Sequence, residues 1–232
     1  MKKIIEAMIP KGKPYKLFYL FFIILSLGTS SENFAQESNF KFKEQFKCEQ
    51  NALSKQFNLA IETNKFHDAK NDIDSTEIIL YIKDKKTSKV LSKIIYSSTF
   101  LLSDDFLNCD SLVSFTTKFN SKKEIIDSYI GDLVIDDLNF DGLDDILVVK
   151  ESGGSSGPIY NFYIQSKGKK FVLDKYLTET VMYFPYTDKK TKTITSFSVG
   201  GVCYIGERIF KYNMNTKKWI LKESRNKNIC DD

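Results

Sequence analysis

The sequence predicts an all-β protein built from antiparallel sheets. From residue 76 onward, apolar and polar residues alternate with a period of two, which is the pattern of a half-buried strand. The strand-like runs are rich in β-branched and aromatic residues, and clusters of turn-forming residues separate them. No long segment after residue 65 has an apolar stripe at helical spacing, so helices are not expected there.

The strands are predicted as short runs in chain order. Residues 77–82 and 90–96 flank a charged loop at 83–89, which indicates a hairpin. The further predicted strands are residues 112–115, 132–135, 146–149, 160–164, 171–173, 193–197, 203–212 and 219–222.

The N-terminal part of the chain is less regular. Residues 40–57 fit either a short N-terminal helix or, because Phe40 and Phe42 alternate with polar residues, a strand. We expect a signal peptide at 1–36, an N-terminal β-rich region at 37–110 and a second β domain, which contains an aspartate-rich loop, at 111–232. The 196 residues that follow the signal peptide (232 minus 36) suffice for one core, so we expect 37–232 to be one compact unit.

A short internal similarity raises the question of repeated sheets. Gly157-Pro-Ile-Tyr160 recurs as Gly201-Val-Cys-Tyr204, 44 residues later (201 minus 157). This spacing lies within the roughly 40–50 residues of one propeller blade. Two shared residues in two copies are equally consistent with coincidence, so both interpretations stay open.

The first 36 residues have the composition of a secretory signal peptide. Five lysines precede an uncharged run of twelve residues at 17–28, and small and polar residues follow it. The alternative is a transmembrane anchor, but twelve residues rise only about 18 Å as a helix against a hydrocarbon core of roughly 30 Å. We therefore expect a periplasmic or secreted protein with no stable membrane anchor after processing.

Removing this leader makes the chain nearly neutral. The sequence has 34 basic and 30 acidic residues, and residues 1–36 contain five Lys and two Glu, which leaves 29 and 28, a net charge of +1. The lysines are scattered among aspartates. Because nucleic-acid affinity depends on clustered basic residues, nucleic acid is not expected as a partner.

Four cysteines follow the leader: Cys48, Cys109, Cys203 and Cys230. An even number in an oxidising compartment favours disulfides, and the absence of CxxC motifs and paired histidines disfavours zinc. A turn near 213–215 would fold two strands together and bring Cys203 opposite the region before Cys230. We expect the pairs Cys203–Cys230 and Cys48–Cys109, with unpaired buried thiols as the alternative.

The most specific motif is DxNxDGxxD at residues 137–145. Oxygen donors at alternate positions suit a hard cation, and glycine at the sixth position permits a sharp turn. The loop is not an EF-hand, because position 12 is Val148 instead of glutamate and the flanking residues are strand-like. The expected ligands are the side chains of Asp137, Asn139, Asp141 and Asp145 and the backbone carbonyl of Leu143.

We expect Ca²⁺ in this loop, in a structural role. Ca²⁺ is favoured over Mg²⁺ because the oxygen donors are numerous and lie on a flexible loop. The acidic side chains would repel one another without a cation. The alternative is an ordinary Asp-Gly turn with solvated carboxylates.

Residues 132–221 resemble known protein families. The loop between two strands is similar to the calcium loops of FG-GAP repeats in integrin-type β-propellers. Residues 131–145, 152–157, 160–163 and 200–201 resemble calcium-binding periplasmic immunity proteins, which accompany antibacterial peptidoglycan hydrolases of type IV secretion systems. Those proteins are similar to inhibitors of invertebrate-type lysozyme. The resemblance implies a β-propeller-like fold that blocks the active site of a cell-wall hydrolase.

Residues 156–160 also match the SGxxY pattern of several bacterial lysozyme inhibitors. The resemblance implies an inhibitor loop containing Gly154, Ser156, Gly157 and Tyr160. The glycines permit tight turns, Ser156 offers a hydroxyl to a catalytic carboxylate, and Tyr160 provides an amphipathic anchor. The alternative is a polar connecting loop in which Tyr160 begins a buried strand.

No catalytic residue can be nominated from the sequence. His67 is the one histidine, which excludes His-based triads and sites with several histidines. The glycine-rich stretch 153–157 lacks the GK[ST] of a P-loop. We therefore expect a non-enzymatic inhibitor or immunity protein whose partner is a cell-wall hydrolase. The alternatives are a calcium-stabilised adhesion or glycan-binding module and, third, a secreted carboxylate-based hydrolase.

Overall fold

Strands arranged in three sheets make up most of the described chain, which confirms the all-β prediction. The computed structural model describes residues 40–98, 111–122, 129–167 and 170–230, all within the compact unit Asn39–Asp232. The predicted signal peptide lies outside these residues. The strands are β1 (Lys41–Gln50), β2 (Phe57–Asp68), β3 (Ile73–Asp84), β4 (Val90–Ser98), β5 (Leu112–Ser114), β6 (Leu133–Asp136), β7 (Asp145–Ser152), β8 (Pro158–Gln165), β9 (Phe171–Leu173), β10 (Tyr186–Asp188), β11 (Thr193–Val199), β12 (Tyr204–Asn213) and β13 (Lys218–Asn228).

The first sheet is an antiparallel meander in the order β1-β2-β3-β4. The hairpin predicted from residues 77–96 is present as β3 and β4. The short N-terminal helix, one of two expectations for residues 40–57, is wrong, because the segment contains the strand β1. The segment forms a strand because its side chains alternate in exposure and because it pairs with β2. The ring of Phe42 packs edge-on against that of Phe66 of β2, with 6.0 Å between the ring centroids.

The second sheet has the order β5-β6-β7-β8-β9 and is mixed. β5 runs parallel to β6, whereas the pairs from β6 to β9 are antiparallel. The purely antiparallel expectation is corrected at this one pair. β6 is buried at every position and β7 at its first five, so these two strands are interior on both faces.

The third sheet is an antiparallel meander in the order β10-β11-β12-β13. A disulfide joins Cys203, before β12, to Cys230, after β13, which confirms that predicted pair. Cys48 is also disulfide-bonded. Its predicted partner, Cys109, lies outside the described residues.

All three sheets contain four consecutive antiparallel strands in chain order: β1–β4, β6–β9 and β10–β13. A propeller blade has the same internal order. The glycines of the two copies of the short internal similarity share a positive φ, 84° at Gly157 before β8 and 83° at Gly201 before β12. Their tyrosines differ: Tyr160 is fully buried, whereas Tyr204 is 51% exposed.

One hydrophobic cluster draws side chains from all three sheets. Its largest fully buried members include Phe57 of β2, Tyr160 and Phe162 of β8, and Phe210 of β12. Within the described ranges, the helical segments include a 3-10 turn at Gly154–Ser156 and a π-helical turn at Leu177–Val181. No helix in those ranges has the length and apolar character needed to cross a membrane.

The outermost strands β1 and β13 are long and mostly exposed. β13 pairs with β12 on one side and carries charged residues along its length. These are Lys218, Lys222, Glu223, Arg225 and Lys227.

Candidate functional site

The DxNxDGxxD motif forms the connection between β6 and β7, here called the aspartate loop (residues 137–145). The predicted strand–loop–strand setting is present. β6 and β7 pair antiparallel, and the pair Asp136–Asp145 closes the ladder at the base of the loop. The buried ladder therefore fixes both ends of the loop.

Hydrogen bonds from its own backbone fold the aspartate loop tightly. The Asp137 carboxylate accepts from the amides of Asp141 at 3.0 Å and Gly142 at 3.1 Å. The Asp141 carboxylate accepts from the amide of Leu143 at 2.9 Å, and Asn139 Oδ1 accepts from the Asp141 amide at 3.1 Å. Gly142 has φ +84°, a left-handed conformation that favours glycine, as its position in the motif predicts.

Asp145 is the most buried acidic residue of the loop, with 0% exposure. Its carboxylate accepts from the amides of Gln165 at 2.8 Å and Leu138 at 3.0 Å. Burial raises the pKa of Asp145 well above its usual value, and the charges of Asp141 and Asp137 raise it further. Burial also raises the pKa of Asp137. The loop thus holds carboxylates that repel one another, and a bound cation would relieve that repulsion.

The oxygen-only chemistry of the aspartate loop suits Ca²⁺. In the part of the chain that the structure describes, however, no three His, Cys, Asp or Glu side chains form a group that could hold a metal ion. The carboxylates of Asp137 and Asp141 are instead occupied by backbone amides. Ca²⁺ binding would therefore require the loop to exchange some of these hydrogen bonds for metal contacts.

The segment before β2 forms hydrogen bonds to the aspartate loop. Ser54 Oγ donates to Asp144 at 2.5 Å, and Gln56 Nε2 donates to the carbonyl of Gly142 at 3.1 Å. On another side of the loop, the ring of Phe140 packs against Trp219 of β13 at 6.3 Å. Ser54 and Asp144 are 90 residues apart, so sequence patterns near the motif give no sign of this contact.

The predicted inhibitor loop is the connection between β7 and β8, here called the tip hairpin (residues 152–158). The amide of Gly153 donates to the carbonyl of Gly157 at 2.9 Å, and the 3-10 turn lies between them. A Cβ at Gly153 would lie 2.2 Å from the Gly157 oxygen and 2.7 Å from Cε1 of Tyr183, so the hairpin can form only with glycine there. Of residues 153–158, Gly154 and Ser155 are exposed.

Ser156 and Tyr160 are both buried and hydrogen-bonded within the protein. Ser156 is 9% exposed, and its hydroxyl accepts from the amide of Val199 in β11 at 2.8 Å. Tyr160 is fully buried, and its hydroxyl donates to the carbonyl of Gly131 at 3.1 Å. This burial corrects the expectation that Tyr160 is an exposed anchor, and the other interpretation, a buried strand residue, is the one observed. The exposed hydroxyl of the tip belongs to Ser155, which sequence reasoning missed.

A groove of about 670 Å³ lies beside the tip hairpin, on one face of the third sheet, and is called the aromatic groove. Its lining includes Ser156 and Pro158 from the hairpin, Tyr186, and Phe197 of β11. Tyr186 and Phe197 are 41% and 40% exposed and pack edge-to-face at 5.6 Å. The alternation of apolar and polar residues predicted strand β11, but it did not predict the groove on its face.

The fold and these features define an all-β protein with a candidate cation loop and a rigid exposed hairpin. No known protein family matches the chain, and no curated protein matches it. Among solved structures, the chain is similar to a Xanthomonas type IV secretion system related protein at 15% identity and a TM-score of 0.47. That alignment covers 80% of this chain and 88% of the other. A likeness at this level supports no statement about function.

Proposed function

We propose that this protein is an exported, calcium-stabilised inhibitor of a peptidoglycan hydrolase that inserts its tip hairpin into the active-site cleft. The observation that carries the proposal is the hydrogen bonding that holds the tip hairpin in one conformation. Its two exposed residues, Gly154 and Ser155, stand on a hairpin closed by the Gly153–Gly157 hydrogen bond and tied to β11 through Ser156 and Val199.

A rigid tip of small residues suits the cleft of such an enzyme. Glycoside hydrolases cleave with two carboxyl groups that lie roughly 5–10 Å apart on either side of the bond. Gly154 and Ser155 are small enough to enter between such groups, and the Ser155 hydroxyl can donate a hydrogen bond to a carboxylate. Because the hairpin is already ordered, little conformational entropy is lost on binding.

In this proposal, calcium has a structural role in the aspartate loop. The side chains of Asp137, Asn139, Asp141 and Asp145 and the carbonyl of Leu143 would hold it. The ion would neutralise the crowded carboxylates of the aspartate loop. β7 runs directly from Asp145 to Ser152, so a stiffened loop would also support the base of the tip hairpin.

The disulfide of the third sheet is consistent with the proposed export, because disulfides form in oxidising compartments. The Cys203–Cys230 disulfide is of the kind that persists in the periplasm or outside the cell and is rare in the cytosol. The signal-peptide composition of residues 1–36 favours the same destination. Both features support the proposal that the protein works in the periplasm or outside the cell.

The proposal is tested with the purified protein and a panel of peptidoglycan hydrolases, scored by the clearing of a cell-wall suspension. Ser155→Arg should weaken inhibition at least about tenfold, because the larger side chain blocks entry of the tip. The matched control is Ser97→Arg, which alters an exposed serine on β4 of the first sheet and should inhibit like the unchanged protein.

Three outcomes would contradict the proposal. The first is equal inhibition by the Ser155→Arg protein. The second is binding to cell-wall glycan with no inhibition of any hydrolase, which would favour the adhesion or glycan-binding alternative. The third is release of soluble fragments from peptidoglycan by the protein itself, which would make it an enzyme.

A further inference from the structure

The aromatic groove presents an ordered row of side chains across three strands. Phe197 of β11 is paired with Glu207 of β12, and Glu207 is paired with Arg225 of β13. A neighbouring row runs from Val199 through Ile205. Directly paired residues point to the same face of a sheet, so both rows face the groove. The surface therefore combines apolar side chains with the Glu207 carboxylate, the Arg225 guanidinium and, opposite Ile205, the Lys227 ammonium.

The charges at the groove neutralise one another. The Arg225 guanidinium donates to Glu207 at 2.8 Å and lies 3.3 Å from Glu223. Lys227 adds a second positive charge to the lining, and Glu223, which lies outside the lining but contacts Arg225, balances it. A groove of this kind offers many hydrogen-bond donors and acceptors but no net charge for an ionic ligand.

The position of the groove disfavours other classes of ligand. It lies on the face of the third sheet, whereas strand addition takes place at the edge of a sheet, so an extended peptide cannot bind across this face by strand addition. The absence of net positive charge disfavours nucleic acid. The Glu207–Arg225 pair disfavours a purely apolar ligand, because its charges would lose water without compensation.

We infer that the aromatic groove binds an uncharged glycan chain. The C–H face of a sugar ring is apolar and stacks on exposed aromatic rings such as Tyr186 and Phe197. The hydroxyls at the edge of the ring match the paired carboxylate and guanidinium of Glu207 and Arg225. A volume of about 670 Å³ is in the range of small-molecule sites, about 300–1,000 Å³, and accommodates a short oligosaccharide.

This site goes beyond the proposed function, because glycan binding at the groove requires no hydrolase. The test is calorimetric titration of the purified protein with neutral oligosaccharides of N-acetylglucosamine and of glucose, and with an acidic oligogalacturonate for comparison. The neutral oligosaccharides should bind, with an affinity that changes little between low and high salt. Tighter binding of the acidic oligosaccharide would overturn the inference.

Variants locate the binding surface. Phe197→Ala should weaken binding of the neutral oligosaccharide about tenfold or more, since one stacking face is lost. The matched control is Tyr204→Ala, which removes an exposed aromatic ring of β12 outside the groove and should leave the affinity unchanged. Phe197→Leu, which keeps apolar bulk but no ring, should also bind weakly and separates stacking from folding defects.

Two further results would overturn the inference. One is the absence of binding by any neutral oligosaccharide at millimolar concentration. The other is equal loss of affinity in the Phe197→Ala and Tyr204→Ala proteins. If Phe197→Ala abolishes hydrolase inhibition while no oligosaccharide binds, the groove contacts a protein instead. The proposed inhibition can fail separately, because its test depends on Ser155.

Discussion

The hydroxyl of Ser156 accepts a hydrogen bond from the backbone amide of Val199 at 2.8 Å and thereby ties the tip hairpin to β11. The two residues are 43 positions apart, on the second and third sheets. Ser156, which the SGxxY pattern suggests for partner contact, is therefore held within the fold. The exposed part of the hairpin is reduced to Gly154 and Ser155.

Ser156→Ala should lower the free energy of unfolding by about 1 kcal/mol, because the amide of Val199 loses its hydrogen-bond partner. For a chain of this size that corresponds to roughly 2–4 °C in the melting temperature. Ser155→Ala is the control, since the neighbouring serine is exposed and should melt like the unchanged protein. Equal melting of the two variants would show that the Ser156 contact contributes nothing.

Calcium should raise the melting temperature of the purified protein, and chelator should reverse the effect. A ligand that binds only the folded state at 10–100 times its Kd stabilises it by about 1–3 kcal/mol. Trp219 is the one tryptophan of the chain and packs against Phe140 of the aspartate loop, so its fluorescence reports on loop closure. A melting temperature unchanged by millimolar calcium would refute the calcium proposal.

Substitutions of the adjacent Asp144 and Asp145 should separate a proposed calcium ligand from an aspartate with a purely structural role. Asp145→Asn should abolish the calcium-dependent stabilisation, because it removes one charged donor of the proposed ligand set. Asp144→Asn should retain it, because Asp144 instead accepts the hydrogen bond of Ser54 and an amide oxygen can do the same. Thermal melts of both variants with and without calcium check this pair.

Two buried tyrosine hydroxyls should respond differently to removal. Within the described residues, the hydroxyl of Tyr96 is buried without a hydrogen-bond partner, whereas that of Tyr160 donates to Gly131. Tyr96→Phe should therefore be neutral or stabilising, and Tyr160→Phe should destabilise by about 1 kcal/mol. Urea unfolding measures both, and a large loss in the Tyr96→Phe protein would contradict the expected difference.

Tyr96 should also contribute to unfolding at alkaline pH. Burial raises the pKa of Tyr96 well above 10.0, and the charge of Asp132 raises it further. A group whose pKa is higher in the folded state gives stability that is complete below its unfolded pKa, near 10, and is lost as pH rises above it. The stability of the Tyr96→Phe protein should therefore decline less steeply above pH 10 in a urea titration.

The Cys203–Cys230 disulfide should be the largest single covalent contribution to the third sheet. It links residues 27 positions apart, for which loop entropy predicts a stabilisation of about 3–4 kcal/mol. The double variant Cys203→Ser, Cys230→Ser should lose most of that in urea unfolding. A reducing agent would be a poorer test, because it also breaks the disulfide of Cys48. An unchanged urea midpoint would contradict the assignment.

Local patterns predicted much of the fold. Alternation located β3, β4 and most of the strands from β5 to β13, because the side-chain period of a strand is independent of what it packs against. It missed β2, in which half-buried polar residues such as Asn58 and Glu62 flank the buried Leu59 and Ile61. Hairpin geometry predicted the Cys203–Cys230 pair because the two cysteines flank adjacent strands at the same end of one meander.

The surroundings of the candidate site could not be predicted in the same way. The contacts of Ser54 with Asp144 and of Ser156 with Val199 join residues 90 and 43 positions apart and depend on how the sheets pack. The SGxxY match concerns residue types and not burial, so it could not distinguish Ser155, which is exposed, from Ser156, which is not. The aromatic groove likewise arises only when three strands lie side by side.

The charged residues along β13 have a consequence for how the protein behaves at high concentration. The free edge of a long strand is a template on which another chain can add, and this is a common route to aggregation. Lysine, arginine and glutamate at intervals along β13 oppose such growth, because a second identical strand would bring like charges together. At high concentration the molecule can therefore resist edge-to-edge association along β13.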